Sequence, residues 1–377
     1  MRHSPLVLVA ISSAVVLAAC GSSPTAGPPG SQAEDVADPE LATAAQAVYD
    51  QINGMSGQER TDELVRLAEE EGELSVYTSN TDMDDLVDGF SELYDIEVSV
   101  YRANSESALQ RLLQETQAGY YGADIFETNA LELGVANQEG LLYPYESELR
   151  DSVREEGQAE GWTATRFNAF VVGWNTDLVP PGTEPKTLEE LAEPQWAGRV
   201  SMEVGDVDWF TAMHDYYVEQ GMSEEETVDL FTRLASNSKV AKGHTVQGEL
   251  LSAGQFDVTV SSYSHTIDKA ADAGAPVAWR PDEGQPVQPI VVRPNGIGMI
   301  KTATNPAAAM LFVDYELTEG QQVFADAFRI GAIDDSGAED PLEGLEVVSV
   351  PEQKLLEDPT TWNDLYEEVI RNGQDVS

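Results

Sequence analysis

Strand-like and helix-like segments alternate along most of this chain, and this alternation constrains the fold more than any other feature. The predicted strands lie at 74–77, 96–101, 123–127, 167–174, 200–202, 256–261, 288–292 and 296–301, and the predicted helices at 82–94, 105–117, 130–139, 209–220, 223–236, 246–253, 265–273, 306–316, 320–327 and 362–371. Strands that alternate with helices of about 10–15 residues are typical of a parallel sheet covered by helices. We therefore predict an α/β fold.

Composition and missing motifs exclude several classes of protein. Asp and Glu number 68 against 20 Lys and Arg, which gives a formal net charge of −48 at pH 7. A surface this negative repels nucleic acid and anionic lipid, so we expect no nucleic-acid partner. The acidic residues are spread over every segment, which favours a solvated coat over a cation-binding site. The sequence has no Gly-x-Ser-x-Gly, His-Glu-x-x-His, Cys-x-x-Cys or Walker motif, so we do not expect an enzyme.

The N-terminus has the layout of a secretory signal. A basic start, Arg2-His3, precedes an apolar stretch at 6–19 that is too short to span about 30 Å of hydrocarbon comfortably. We predict a signal peptide over 1–19. No later segment reaches about 18 apolar residues in a row, so no further membrane span is expected.

The end of this signal resembles the lipobox of bacterial lipoproteins. Residues 17–20 read Leu-Ala-Ala-Cys, and the resemblance implies cleavage before Cys20 and a lipid on its sulfur. An ordinary signal peptide with a chance cysteine is the alternative. Cys20 is the sole cysteine, so the mature chain has no internal disulfide. We predict a lipid-anchored flexible linker over 20–38. We predict an N-terminal helical segment over 39–72, which glycines interrupt.

Polar clusters follow the predicted strands where helices begin. In open α/β sheets, ligands bind outside the carboxyl ends of the strands, and helix N-termini there present free N–H groups. Each cluster alone is also an ordinary helix cap, but five in one chain favour a binding cleft. The clusters are Thr78-Ser79-Asn80, Asn104-Ser105, Thr128-Asn129, 206–209 and 261–265.

Eight stretches of the chain carry a resemblance to known proteins: 75–79, 122–128, 139–142, 170–177, 188–200, 294–298, 305–309 and 319–321. Together they resemble the solute-binding proteins of ABC importers (extracellular family 1, type II periplasmic binding proteins). As a set they are most similar to the ferric-iron-binding group, with phosphonate and polyamine binders as relatives.

The resemblance implies a two-lobed fold, in which each lobe is a mixed sheet flanked by helices and crossover strands form the hinge. Lobe 1 would take 73–155 plus 293–340, lobe 2 would take 160–290, and 341–377 would be a C-terminal helical tail. A solute held in the cleft closes the hinge, and the closed form docks on an ABC permease. We expect a monomer without a resident cofactor. It would lie outside the cytoplasm and be anchored to the cell membrane by its N-terminal lipid. A secreted enzyme or a sensory module on this scaffold is the alternative.

The resemblance also bears on the solute. Ferric binders of this group carry two adjacent tyrosines after the strand that corresponds to 256–261. Here Tyr263 is present, its neighbour is a serine, and His265 follows two residues later. The expected cargo is iron(III) or an iron chelate, with Tyr263 and His265 as metal ligands. Phosphonate, polyamine or another small organic solute is the alternative.

Two further groups are candidates for the lining of the cleft. His244 and Thr245 open a predicted helix, and they either line the cleft or simply form a helix start. Asp206 and Trp209 would hold a cationic solute by charge and cation–π contact, unless Trp209 starts a buried helix. Arg166 could pair with an anionic solute, but we expect it to form a surface ion pair.

Overall fold

The structure is a computed structural model that describes residues 38–333 and 340–375, so the predicted signal peptide and Cys20 lie outside the described residues. The strands are β1 (Glu73–Thr78), β2 (Glu97–Arg102), β3 (Ile125–Asn129), β4 (Leu142–Tyr143), β5 (Thr163–Asn175), β6 (Val200–Glu203), β7 (Ser238–Ala241), β8 (Val258–Tyr263), β9 (Val277–Ala278), β10 (Ile290–Ile300), β11 (Ile330–Gly331) and β12 (Val347–Ser349). The helices are α1 (Pro39–Asn53), α2 (Gly57–Glu71), α3 (Met83–Leu93), α4 (Ser105–Gln117), α5 (Ala130–Gln138), α6 (Leu188–Leu191), α7 (Val207–Glu219), α8 (Glu224–Ser236), α9 (His244–Ser252), α10 (Ser264–Asp272), α11 (Pro306–Glu316), α12 (Gly320–Asp326), α13 (Glu352–Glu357) and α14 (Pro359–Asp375).

These strands form a mixed sheet whose main order is β2-β1-β3-β10-β5-β8-β6-β7. Strands β2, β1 and β3 run parallel at one end of the sheet, and β7, β6 and β8 run parallel at the other end. The two long strands β5 and β10 lie antiparallel between these ends and connect them. The predicted α/β fold and the mixed sheet that the resemblance implies are confirmed. The parallel sheet that the alternation of elements indicates is wrong, because β5 and β10 pair antiparallel with each other and with β8 and β3.

The prediction of separate strands at 288–292 and 296–301 is wrong, because β10 runs unbroken through Pro294. Proline has no backbone N–H and is normally excluded from the interior of a sheet. One side of β10 pairs with β12 at 290–292 and with β3 at 295–299, and Pro294 falls in the gap between these two partners. The gap accommodates a residue that cannot donate a hydrogen bond.

Buried hydrophobic residues form two clusters. The first is built mainly on β1, β3 and α11 and takes in α1 and α2, and the second packs α7, α8 and α14 against β6 and β8. The helix predicted at 362–371 is confirmed as part of α14, whose Trp362 and Tyr366 are buried in the second cluster. The first cluster also includes Ile267 and Trp279, which the predicted boundaries assign to lobe 2. Those boundaries stay a prediction.

Helix boundaries largely follow the predicted signals. The helical segment predicted at 39–72 is confirmed as α1 and α2, with a break between them. The start of α8 has the reciprocal hydrogen bonds of a capping box between Ser223 and Glu226. Helix α9 begins at His244 rather than at 246, which places this histidine at a helix N-terminus. None of the described helices is both long and apolar enough to cross a membrane.

Asp124 ties β1 to the start of α11. Its buried carboxylate accepts backbone hydrogen bonds from Ser75 at 2.9 Å, from Thr304 at 2.8 Å and from Asn305 at 2.9 Å. The side chains of Thr304 and Asn305 donate to the same carboxylate. One side chain therefore satisfies donors from separate segments in the interior, where an unpaired donor is costly.

Replacing Asp124 with Asn should lower the free energy of unfolding by at least about 3 kcal/mol, because the amide exchanges an acceptor for a donor and leaves buried N–H groups unpaired. Urea unfolding followed by circular dichroism measures the loss. The exposed Asp95 offers a control, since Asp95→Asn should change stability by less than about 0.5 kcal/mol. A loss below about 1 kcal/mol for Asp124→Asn would contradict the role given to this carboxylate.

Candidate functional site

The carboxyl ends of both parallel sets of strands reach the middle of β5 and β10. Strand β3 ends at Asn129, opposite Asn295 of β10, and β8 ends at Tyr263, opposite Phe170 of β5. This is the edge at which open α/β sheets bind ligands. The polar side chains gathered there are called the central polar cluster, and they are Asp82, Glu127, Asn129, Arg166, Asn168, Glu203, Asp206, Asp208, His244, Tyr263, His265, Arg293, Asn295 and Arg329.

Arg293 contacts residues of the central polar cluster that come from separate elements. Its guanidinium forms a buried ion pair with Asp208 at the start of α7. It also donates to Asn129 at 3.1 Å and to the Tyr263 hydroxyl at 2.7 Å. Burial by itself lowers the pKa of Arg293, but Tyr263 and Asp208 more than offset this effect, so the pKa is raised. Arg293 is therefore charged at every physiological pH and joins both ends of the sheet.

Three aromatic rings lie in a row beside Arg293. The ring centroids of His244 and Tyr263 are 3.8 Å apart, and those of Tyr263 and His265 are 5.4 Å apart. Burial raises the pKa of Tyr263 above its usual value, although Arg293 opposes the rise. The phenol is therefore protonated at neutral pH, and a metal ion would have to displace its proton in order to bind the oxygen.

Glu203, Asp206 and His244 bring three potential donor atoms within 4.8 Å of one another. The Nε2 atom of His244 lies 3.0 Å from Oδ1 of Asp206. Burial raises the pKa of Asp206 to about 6, against the opposing effect of His244. Burial lowers the pKa of His244, but the Asp206 and Glu203 carboxylates more than offset it, so the pKa is raised. A protonated His244 therefore supplies part of the positive charge that balances the Asp206 and Glu203 carboxylates.

Glu127 organises the ends of β1 and β3. Its carboxylate accepts hydrogen bonds from Thr78 and, at 3.1 Å, from Asn80, and it forms an ion pair with Arg166. The prediction of a surface ion pair for Arg166 is wrong, because this residue is 1% exposed. Strand β5 is buried along its whole length, so an arginine within it needs a buried carboxylate as its partner. Thr78 and Asn80 thus hold a structural carboxylate.

Asp82 and Arg329 form a third buried ion pair. Lys269 of α10 reaches the same carboxylate at 2.5 Å, and Arg329 donates to Asn168 of β5 at 3.1 Å. His265 lies 3.4 Å from a guanidinium nitrogen of Arg329. Burial and then the charges of Arg329 and Lys269 lower the pKa of His265 well below its usual value. His265 is therefore neutral, in positively charged surroundings.

The remaining residues predicted to bind ligand are dispersed. Ser79 bonds to a hydroxyl of β3 at 2.9 Å, and Ser105 accepts a hydrogen bond from Asn129 at 2.7 Å. Thr245 is exposed beside His244. Trp209 is 4% exposed and packs edge-on against an aromatic ring of α8 at 5.7 Å in the second hydrophobic cluster. The cluster thus joins Asn129, Asp206, His244, Tyr263 and His265, and Trp209 belongs to the core.

The sequence analysis missed several charged residues of the central polar cluster. They are Asp82, Glu127, Glu203, Arg293 and Arg329, whereas Asp208 was included only as part of the polar cluster at 206–209. The arginines could have been recognised in the sequence, because cations are few in a chain with 20 Lys and Arg against 68 Asp and Glu. Arg293 also interrupts an apolar run in β10. The three carboxylates could not have been recognised in the sequence, because acidic residues occur in every segment of it.

Comparison with known proteins shows the family. The model for the bacterial extracellular solute-binding protein family matches residues 85–339. The chain therefore belongs to this family, whose members bind solutes outside the cytoplasm.

Individual relatives agree with this assignment. "Iron uptake protein A1" of Synechocystis is 27% identical over 274 residues, which cover 68% of this chain and 74% of that protein. "Iron uptake protein A2" of the same organism is 28% identical over 270 residues, covering 67% and 75%. The crystal structure of iron-bound HitA from Pseudomonas aeruginosa has a TM-score of 0.62 at 18% identity, covering 81% of this chain and 99% of that one. At this identity the structural match concerns the fold, which is that of a periplasmic binding protein.

Replacing Asp208 with Asn should destabilise the protein by about 3–5 kcal/mol, because the buried Arg293 then keeps its charge without its carboxylate. Urea unfolding measures the change. The matched control is Asp229→Asn, which breaks the exposed ion pair with Arg233 and should cost less than about 1 kcal/mol. Equal effects of the two substitutions would contradict a dominant role for the buried pair.

Proposed function

We propose that this protein captures iron(III), or an iron chelate, in the central polar cluster and delivers it to the permease of an ABC importer. Family membership supports capture of a solute. The names of the two Synechocystis relatives support iron as the cargo, since each aligns with about two thirds of this chain.

The observation that carries the proposal is the convergence of hard donor groups from separate elements. The Tyr263 phenol at the end of β8 stacks on His244 of α9, and the Asp206 carboxylate lies 3.0 Å from the same histidine. Oxygen donors and imidazole suit iron among the transition metals. Soft thiolate donors are missing, because the sole cysteine is Cys20.

The two crossover strands supply a mechanism for capture. Strands β5 and β10 pair with each other between the two parallel sets, and the central polar cluster lies across their middle. We infer that they act as the hinge between the lobes predicted at 73–155 plus 293–340 and at 160–290. A solute that contacts residues of both lobes stabilises the closed state over the open one. The closed form is then the one that the permease recognises.

A second candidate cargo is an anionic organic solute, such as a phosphonate. The observation that favours it is the presence of Arg166, Arg293 and Arg329 in the same cluster, each 9% exposed or less. Guanidinium groups bind phosphate and carboxylate oxygens well. Each of these arginines is already paired with a carboxylate of the protein, so an anion would have to compete with Glu127, Asp208 or Asp82. This competition makes iron the stronger candidate.

A thermal-shift screen separates the candidate cargoes. We expect ferric citrate to raise the melting temperature, because a ligand at about 100 times its Kd adds roughly 2.7 kcal/mol to the stability of the folded state. Citrate alone, methylphosphonate, phosphate and spermidine are the comparison solutes and should have smaller effects. A shift with a phosphonate or with spermidine and none with ferric citrate would contradict iron as the cargo.

We further propose that the protein is held at the membrane by a lipid on Cys20, which lies outside the described residues. The lipobox-like sequence at 17–20 supports this anchor. Replacing Cys20 with Ser should move the protein from the membrane fraction to the soluble fraction, with unchanged affinity for ferric citrate. Fractionation followed by immunoblotting measures the change, and a variant that stays with the membrane would contradict the anchor.

A further inference from the structure

We propose that the primary ligands of the iron are Glu203, Asp206 and His244, three residues that sequence reasoning did not bring together. This inference rests on the proposed function and names the donors of that site. It assigns first contact with the metal to the loops at one end of the sheet, so that the ion is held there before any closure of the hinge.

The three residues follow two adjacent parallel strands. Glu203 ends β6 and lies opposite Ala241, the last residue of β7. Asp206 lies in the loop between β6 and α7, and His244 begins α9 directly after β7. The loops that follow neighbouring parallel strands meet at one edge of the sheet. The topology therefore brings His244 to Glu203 and Asp206, although it lies about 40 positions farther along the sequence.

The backbone around these donors is fixed by Glu203. One carboxylate oxygen accepts the N–H of Gly243 at 2.7 Å, and the other accepts the N–H of Gly205. Gly243 has a φ of +91°, a conformation that favours glycine. Tyr366 of α14 donates to the Glu203 carbonyl at 2.5 Å. Each carboxylate oxygen has a second lone pair, so Glu203 can position the loops and still contact a metal.

Two buried atoms of this set are unsatisfied. Oδ2 of Asp206 and Nδ1 of His244 have no hydrogen-bond partner among the described residues, and Asp206 is only 2% exposed. Buried polar atoms without partners are uncommon and call for an explanation. A metal held by both oxygens of the Asp206 carboxylate would satisfy Oδ2, whereas Nδ1 of His244 lies on the side of the imidazole away from Asp206. The 3.0 Å between His244 Nε2 and Asp206 Oδ1 also equals the separation of two donors that bind one metal at about 2.1 Å and at right angles. A metal can therefore replace their shared proton, which passes to solvent.

The surrounding charges favour this set over the other histidine of the cluster. His265 lies beside Arg329, and Lys269 of the same helix is close enough to lower its pKa, so a metal cation there would meet positive charge. The Tyr263 hydroxyl accepts a hydrogen bond from Arg293 at 2.7 Å, so a metal at this oxygen would have to displace both the phenol proton and the Arg293 contact. Its ring covers His244 at 3.8 Å, which makes Tyr263 a positioning residue for the imidazole.

The test is competitive titration of the full chain with ferric nitrilotriacetate. Asp206→Asn and His244→Gln should each weaken iron binding by more than about 100-fold, because losing a direct ligand costs more than losing a residue that only orients one. Tyr263→Phe should weaken binding by less than either and should leave the visible spectrum of the loaded protein unchanged. His214→Gln is the matched control, because His214 and Asp215 form another His–Asp pair, which lacks a second carboxylate among the described residues. This variant should bind iron like the wild type.

The outcomes separate this inference from the proposed function. If the wild type binds ferric iron and both folded variants bind it within about threefold of the wild type, the ligand set is wrong and iron capture stands. A visible phenolate-to-iron absorption that Tyr263→Phe abolishes would also overturn the set. If the wild type does not bind ferric iron, the proposed function fails first. Circular dichroism checks each variant, and Glu203→Gln replaces any variant that does not fold, with at least a tenfold loss expected.

Discussion

The buried ion pair between Arg293 and Asp208 is the interaction on which the arrangement of the site depends. Arg293 lies in the long strand β10, which pairs with β3 of the first parallel set and with β5. Its partners, Asp208, Asn129 and Tyr263, come from both ends of the sheet. A guanidinium removed from water is stable only with a carboxylate and with hydrogen bonds to its remaining donors. Because Arg293 needs these partners, the carboxyl ends of the two parallel sets of strands lie close together.

The charges of the central polar cluster are balanced unevenly, and this imbalance has a chemical consequence. The three buried arginines, Arg166, Arg293 and Arg329, each have a carboxylate partner. The only ion-pair partner recorded for Asp206 within the described residues is a histidine. Cation-binding capacity therefore remains on the side of β6 and α9. An extremely acidic surface is compatible with this, because the surface charge is solvated and screened whereas the buried carboxylate is not.

Much of the fold could be predicted because it depends on local patterns. Apolar periodicity located most of the long helices and strands, and the Ser223–Glu226 capping box marked the start of α8. Prediction failed where a distant partner decided the outcome. Pro294 appeared to end a strand, but the gap between β12 and β3 lets β10 continue through it. Arg166 was expected at the surface, but Glu127 of another strand allows it to be buried.

The α/β class, the acidic character and the polar residues that follow the strands can be read from residue type and spacing alone. Which of these residues meet depends on how the chain folds in three dimensions. His244 and Asp206 are separated by two helices and a strand in the chain, but their strands are neighbours in the sheet. Trp209 follows the same loop as Asp206 and points into the core. Pairing between strands is a non-local choice, and a single acidic residue among 68 carries no mark of its eventual partner.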